Sequence, residues 1–594
     1  MTCAWYGTIE EFHQIKPIEL LTILTRHIYD QSVEEAKSNP GSLPQLNAWR
    51  NCIQDLKDQL FLTPNLKGYL IFEYEFPRSN GRRPDVLLLL PGELIVLEFK
   101  GYDAIKDPEL HQISLYVRDF QEYHSAVHEH QLHVRGALVY STNNQSLNNK
   151  SNKIYKVYET PNHALHTLIN LINKKTTTTQ LIEPEILLEG HFQPLPSILE
   201  SARAIFKRDD LPEIRNVKSS NFDAVIKAAT SIIEEAERTK THHMILVSGV
   251  PGAGKTFIGL TLAHELQHAV YLSGNGPLVD VLQNILTKDE EIHSQQAFVQ
   301  ALSSYKRDIQ NGTKLNDHIL IFDEAQRAWE FQNHSKDSDP DLMVRAAKGK
   351  EWSVIVGLIG EGQEIHTKEQ KGIPLWNRAI ANQGFTVHAR HNENMFPNAI
   401  AFEENPDLHL NASIRTHNAL DYFKWVETFL AGDFGEAKKI AENLRSERFI
   451  LKKMTNLDEA KQYVTDLYGH TDKTYGIVAS SKLDSDMNWK KKKKERYSGK
   501  PHVGYYNDKN SPFYCKTLNY AASEFDCQGL ELDAAIVYWD DDLTIQNKQW
   551  YHNPNKLNNQ ADRKEEMKTN AYRVLLTRGR DCVIVVDEHG YLNF

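Results

Sequence analysis

Cysteine is scarce and scattered: five occur in 594 residues (Cys3, Cys52, Cys515, Cys527 and Cys582), with no C-x-x-C pair. This excludes a disulfide scaffold and a zinc ribbon, and reads as reduced thiols of a cytoplasmic chain. Long apolar runs are also missing. The most apolar stretch, Val86 to Leu97, is broken by Pro91, Gly92 and Glu93. It is too short and too interrupted to span a bilayer, so no membrane partner is expected. The opening MTCAWYGTIEEF lacks a basic segment ahead of an apolar one, and no secretory signal is expected. There is no internal repeat and no long low-complexity tract. Nor is there an excess of positive charge: 68 Lys and Arg face 79 Asp and Glu, a net charge of -11. That does not exclude a nucleic-acid partner, because local basic grooves and not the total charge decide such binding.

What is present is ordinary globular material, 40% hydrophobic, 25% charged and 10% aromatic, in a chain long enough for three or four domains. Polar, turn-rich segments at 143–153 and 174–179 read as surface loops. A charged stretch from Lys207 to Asn221, containing Pro212, marks a boundary, and Phe222 to Arg238 has helical apolar spacing. The expected division is 1–205, a linker and entry helix at 206–240, then 241–400 and 401–594, with a candidate mobile insertion near 484–512. The run Lys490 to Lys494 inside that insertion reads as a solvated loop.

Residues 249–256 spell G-V-P-G-A-G-K-T, between the apolar strand MILVS and an amphipathic helix. The pattern G-x-x-x-x-G-K-[ST] in that setting is a phosphate loop. Gly249, Gly252 and Gly254 let backbone N–H groups turn inward around phosphate oxygens at a helix N-terminus. Lys255 is then expected on the β- and γ-phosphates of ATP and Thr256 on Mg²⁺. Residues 318–327, HILIFDEAQR, end an apolar strand in Asp323, expected to hold the Mg²⁺ shell, and Glu324, expected to activate the attacking water.

Further segments follow in order: VYLSGNGPLV from Val270, IGEGQEIH from Ile359, ASIRT from Ala412, EFDCQGLELDAAIV from Glu524 and NAYRVLLTRGR from Asn570. With the two segments above they resemble the ordered motifs of a superfamily one helicase, and specifically the Schlafen-like branch of DNA/RNA helicases, over roughly 240–594. The resemblance implies two RecA-like parallel-sheet domains. It implies Gln363 as a γ-phosphate sensor, with Arg415 and Arg578 completing the site from the second domain. It also implies that Ser273 to Asn275 and the Gln528-Gly529 turn contact the strand. The third motif carries Glu361 where the family has Asp, and no adenine-reading glutamine precedes the phosphate loop.

Residues 82–100 hold two apolar runs flanking Pro91-Gly92, a hairpin signal. A turn centred there sets Leu90 against Glu93 and Asp85 against Glu98, and period two adds Lys100 to the face of Glu98. Two carboxylates and an ammonium converge, and oxygen ligands suit Mg²⁺ or Mn²⁺. The segments Pro84-Asp85 and Glu98-Phe99-Lys100 resemble the PD-(D/E)xK nuclease core, a mixed α/β sheet. That resemblance implies Asp85 and Glu98 as metal ligands and Lys100 as the group orienting water. Gln112 to Tyr116 looks like its Q-x-x-x-Y helix, and Glu73 or Glu75 would add a carboxylate. The cluster His124, His128, His130 and His133 reads as a solvated helix end and not as a metal site.

Taken together, the expectation is an ATP-dependent helicase or translocase joined to a metal-dependent nuclease. Its partner is nucleic acid, DNA before RNA, with a homo-oligomer or partner protein also open. The resemblance implies a prokaryotic role in antiphage defence or repair. The alternatives are a nucleic-acid-responsive ATPase switch whose N-terminal domain binds without cutting, and action on structured RNA.

Overall fold

The computed structural model describes residues 3–34, 43–76, 83–102, 105–175, 180–192, 199, 202, 221–249, 254–287, 298–313, 315–327, 337–360, 372–390, 396–410, 420–444, 449–469, 471, 473–488, 499–557 and 564–592. The chain forms two compact units. The first comprises 1–194 with the segments 442–450 and 462–473, and the second holds the rest. The sequence division at 205 does not anticipate those two later segments.

The first unit is built on a seven-stranded sheet. Its strands are β1 (Trp5–Thr8), β2 (Tyr69–Phe72), β3 (Val86–Leu90), β4 (Glu93–Lys100), β5 (His133–Tyr140), β6 (Lys150–Asn152) and β7 (Val157–Pro161), in the order β1-β2-β3-β4-β5-β7-β6. β2, β3 and β4 form an antiparallel meander, and β5 joins β4 in parallel. A parallel partner needs a crossover, supplied by the helix Asp107–Tyr123. The β3–β4 hairpin has Leu90 opposite Glu93 and Val86 opposite Leu97, the register expected from the Pro91-Gly92 turn. All five residues of β3 are buried, because apolar clusters cover both faces. Leu87, Leu89 and Val96 pack with the helix 107–123, and Val86, Leu88 and Leu97 pack with the helices Leu43–Phe61 and Leu165–Lys175.

The second unit holds two parallel sheets. In the first, β8 (His242–Gly249) lies between β12 (Ser353–Ile359) and β13 (Phe385–Ala389). β11 (Ile319–Phe322) pairs with β12 and with β9 (Ala269–Ser273), and β10 (Val299–Ala301) and β14 (Ala401–Glu404) form the edges. The short β15 (His409–Leu410) runs parallel to the end of β8. The second sheet has the order β16-β22-β19-β17-β18: β16 (Ile450–Met454), β17 (Tyr475–Ala479), β18 (Ala521–Ser523), β19 (Leu532–Tyr538) and β22 (Gly579–Val586). β20 (Leu543–Gln546) and β21 (Gln549–His552) form a separate antiparallel hairpin. The entry helix spans Phe222–Thr239 and buries Val225, Ala229, Ile232, Ile233 and Ala236, the stripe its sequence spacing marks out.

Two sequence expectations need correction. The described part of 484–512 is packed: the helix Pro501–Asn507 buries Tyr505, whose hydroxyl donates to the Ile477 carbonyl at 2.6 Å. Lys490 to Lys494 lie outside the described residues. His124 is not solvated. It is fully buried with its Nε2 3.1 Å from the Tyr74 hydroxyl, and burial pushes its imidazole down to about 4. His128 and His133 of the same cluster are exposed.

Candidate nucleotide and metal sites

In the first unit, the hairpin brings Asp85, Glu98 and Lys100 together. Lys100 Nζ lies 3.1 Å from Glu98 Oε1, and the Phe99 amide donates to Asp85 Oδ2 at 2.7 Å. Glu98 is buried, and its Oε2 has no hydrogen-bond partner. Burial opposes charge on Lys100, but Glu98 and Asp85 outweigh it and hold the ammonium above its ordinary range. Burial, then Glu98, pushes the Asp85 carboxyl well up.

Of Glu73 and Glu75, Glu73 is the buried one. It is buried, accepts from Trp49 Nε1 at 2.7 Å, and pairs with Arg83 Nε at 3.8 Å. Burial raises its carboxyl to about 7, against the opposing pull of Arg83 and the Trp49 bond, with Glu98 adding to the rise. Its φ is 53°, a left-handed backbone uncommon for a non-glycine residue. Gln112 and Tyr116 sit one helical turn apart, with Gln112 Nε2 donating to the Tyr116 hydroxyl at 3.0 Å. That hydroxyl donates to the Arg83 carbonyl at 3.3 Å, which ties the helix to the Pro84-Asp85 turn. Trp49 and Arg83 carry no motif signature, and only the fold reveals them as partners of Glu73.

No three acidic, imidazole or thiol groups among the described residues are arranged to hold a metal alone. Two carboxylates completed by water and phosphate oxygens are how Mg²⁺ is ordinarily held. Asp85 with the unpartnered Glu98 oxygen fits that donor set.

In the second unit, Gly254 (φ 85°) opens the helix Lys255–Glu265, as a glycine must where the chain turns left-handed. Lys255 is buried, and its Nζ donates to the Gly249 carbonyl at 2.8 Å. A Cβ built on Gly360, just past β12, would stand 3.4 Å from both Lys255 Nζ and Glu324 Oε2. The ammonium, the Glu324 carboxylate and the end of β12 therefore share one small space. Gln326, quoted in the DEAQR segment but given no role, bridges it: Nε2 donates to Glu324 Oε2, and Oε1 accepts from the Gly360 amide at 2.9 Å. Glu324, like Glu73, has φ 53°. Asp323 follows β11 and accepts from Ser273 Oγ at 3.3 Å. Gly252, Gln363, Glu361 and Arg415 lie outside the described residues.

Ser273 is 2% exposed and turned to Asp323. Arg578 is buried. It is 1% exposed, with Nε on the Val574 carbonyl (2.8 Å), Nη1 on those of Cys527 (3.1 Å) and Leu530 (3.0 Å), and Nη2 on Thr577 Oγ1 (3.0 Å). It staples the helix Lys564–Leu576 to the turn holding Gln528 and Gly529. The Asn275 side chain donates to the Gln528 carbonyl, so the two segments expected to grip a strand are bonded to each other.

Among known proteins, the model of the family described as Schlafen group 3, DNA/RNA helicase domain, matches residues 242–588. ABC transporter G family member 46 of Oryza sativa subsp. japonica is 28% identical over 171 residues, covering 27% of this chain. This chain spans only 11% of that transporter. A solved structure concerned with DNA unwinding at forked dsDNA by two coordinating Pif1 helicases covers 61% of this chain and 91% of its own, at a TM-score of 0.29 and 11% identity.

Proposed function

Because the chain belongs to the Schlafen group 3 DNA/RNA helicase domain family, we propose that it is an ATP-driven nucleic-acid translocase carrying a metal-dependent nuclease in its first unit. The observation that carries the motor reading is the meeting of Lys255, Glu324 and Gly360 within the family match. Lys255 exchanges the Gly249 carbonyl for phosphate oxygens. Thr256 and Asp323 hold Mg²⁺, whose charge offsets that of the phosphates. Glu324, fixed by Gln326, takes the proton of the attacking water. Because Gln326 also holds the Gly360 amide, a change at the γ-phosphate reaches the end of β12 through two hydrogen bonds. Arg415 remains the second-lobe candidate for stabilising the transferred phosphoryl. Arg578 is a positioning residue for the Gln528-Gly529 turn.

The nuclease reading rests on Glu98 Oε2, a buried carboxylate oxygen without a partner, beside Asp85 and Lys100. An unpaired buried acceptor is costly unless a ligand fills it. A divalent cation on Asp85 and Glu98 supplies Lewis-acid charge for phosphodiester cleavage, and Lys100 orients the water. The order of β2, β3, β4, crossover helix and β5 supports the PD-(D/E)xK reading. DNA is the proposed substrate, with a role in prokaryotic antiphage defence or repair.

The test is strand cleavage and ATP turnover on the full chain with Mg²⁺ or Mn²⁺. Lys100→Ala abolishes cleavage and leaves nucleic-acid-stimulated ATP turnover within about twofold. Lys255→Ala lowers ATP turnover by at least two orders of magnitude. Equal cleavage by wild type and Lys100→Ala removes the nuclease claim. ATP turnover indifferent to DNA and RNA oligonucleotides removes the translocase claim.

A further inference from the structure

Tyr271 is not part of any role assigned so far, yet its surroundings are unusual. It lies in β9, wholly buried, and its hydroxyl makes no hydrogen bond. The Asp323 carboxylate and the Thr256 hydroxyl are its polar neighbours, but neither meets the phenol in hydrogen-bond geometry. The fold makes room for the ring. A Cβ on Gly259, in the helix after the phosphate loop, would fall 2.9 Å from Tyr271 Cε2 and 2.7 Å from Leu358 Cδ1. Tyr271 and Ser273 are two apart in one strand and share a face, and Ser273 already donates to Asp323 at 3.3 Å. β9 therefore aims two hydroxyls at one carboxylate, and one of them remains unused.

An orphaned buried hydroxyl gains most when a partner arrives. The pair beside it, Thr256 and Asp323, is the pair proposed to hold the cation, and this inference rests on that reading. We infer that Tyr271 is a positioning residue for the hydrated divalent cation that accompanies the nucleotide. Its O–H donates to the Asp323 carboxylate, and its oxygen accepts from a water on the cation. A phenol suits this task because it adds an acceptor without adding charge, whereas a carboxylate there would repel Asp323.

The experiment uses the full-length chain and reads binding, not turnover. Fluorescent ATP analogue is titrated at fixed concentration with Mg²⁺, and separately in excess chelator. For Tyr271→Phe the Mg²⁺ midpoint rises about five- to tenfold, metal-free analogue affinity is unchanged, and the melting temperature does not fall. An unchanged midpoint, or an equal loss of affinity with and without Mg²⁺, overturns the inference. Lys255→Ala separates the two levels of the argument. If it binds as wild type does, the phosphate-site reading fails and takes this inference with it. If Lys255→Ala loses binding while Tyr271→Phe matches wild type, only the role of Tyr271 falls.

Discussion

Glu73 and Glu324 sit in different units, yet each holds φ at 53°. For a non-glycine residue that conformation costs on the order of 1–3 kcal/mol, and such strain collects where a side chain must be aimed. In Glu73 it adds to the cost of a buried carboxyl, which the native state prefers to keep protonated. Glu73→Gln removes the charge while leaving an amide oxygen to accept from Trp49 Nε1. The expected result is a metal-free chain more stable at pH 8, by about 1–3 kcal/mol in urea unfolding, with metal-dependent cleavage lowered at least tenfold. A variant that cuts as well as wild type shows that Glu73 is structural alone. Residue-level placement was only half legible in the sequence. Asp85, Glu98, Lys100 and Lys255 are read from spacing, because a hairpin register and a phosphate loop are local objects. The burial of His124 and Arg578 is not local. The partner of His124, Tyr74, lies 50 residues away, and two carbonyls that hold Arg578 are 51 and 48 residues away.

At the scale of elements, the helix Lys255–Glu265 shows how packing overrides propensity. Gly259 in its interior is a poor helix former, and alanine there gains roughly 1 kcal/mol in propensity. The new methyl, however, would press on Leu358 at 2.7 Å and the Tyr271 ring at 2.9 Å, in strands whose side chains are fully buried. Overpacking such a core costs about 1–3 kcal/mol, and a rigid ring gives less than a flexible chain end. Gly259→Ala is therefore expected to lower the urea midpoint of the nucleotide-free chain and to weaken nucleotide binding, because the ring it displaces lies under Thr256 and Asp323. A raised midpoint would mean that propensity wins and the ring moves freely. The elements themselves follow closely from pattern: the β3–β4 register, the strand 242–249, the helix 255–265 and the helix after Asn221 all lie where the sequence pattern puts them. The insertion near 484–512 misled because turn formers and charge mask the apolar side chains, Val503, Tyr505 and Tyr506, that pack it down.

For the whole molecule, the proposed sites predict a stability that depends on different ligands, and pH separates them. Glu73 has a folded carboxyl at about 7 against an ordinary 4.5. Below about 4.5 it is protonated in both states. Between about 4.5 and 7 the unfolded chain gives up the proton while the native chain keeps it, so stability falls as pH rises, then levels off above 7. The gap corresponds to about 3 kcal/mol. Asp85 is shifted the same way by burial and Glu98, so its contribution has the same sign. A divalent cation takes the place of those protons. Its affinity therefore rises with pH across this window, and its stabilisation, set by the ratio of its concentration to its dissociation constant, rises too. In scanning calorimetry without nucleotide, Mn²⁺ is expected to raise the first unit's transition little at pH 5 and by several degrees at pH 8. Glu73→Gln should flatten both the metal-free decline and part of the Mn²⁺ response. ATP analogue with Mg²⁺ should instead move the transition of the second unit, and lose that effect in Lys255→Ala. A Mn²⁺ shift that is the same at pH 5 and pH 8 would mean that the cation does not replace protons on Glu73 or Asp85, and the first unit would then have no claim to a carboxylate-held metal.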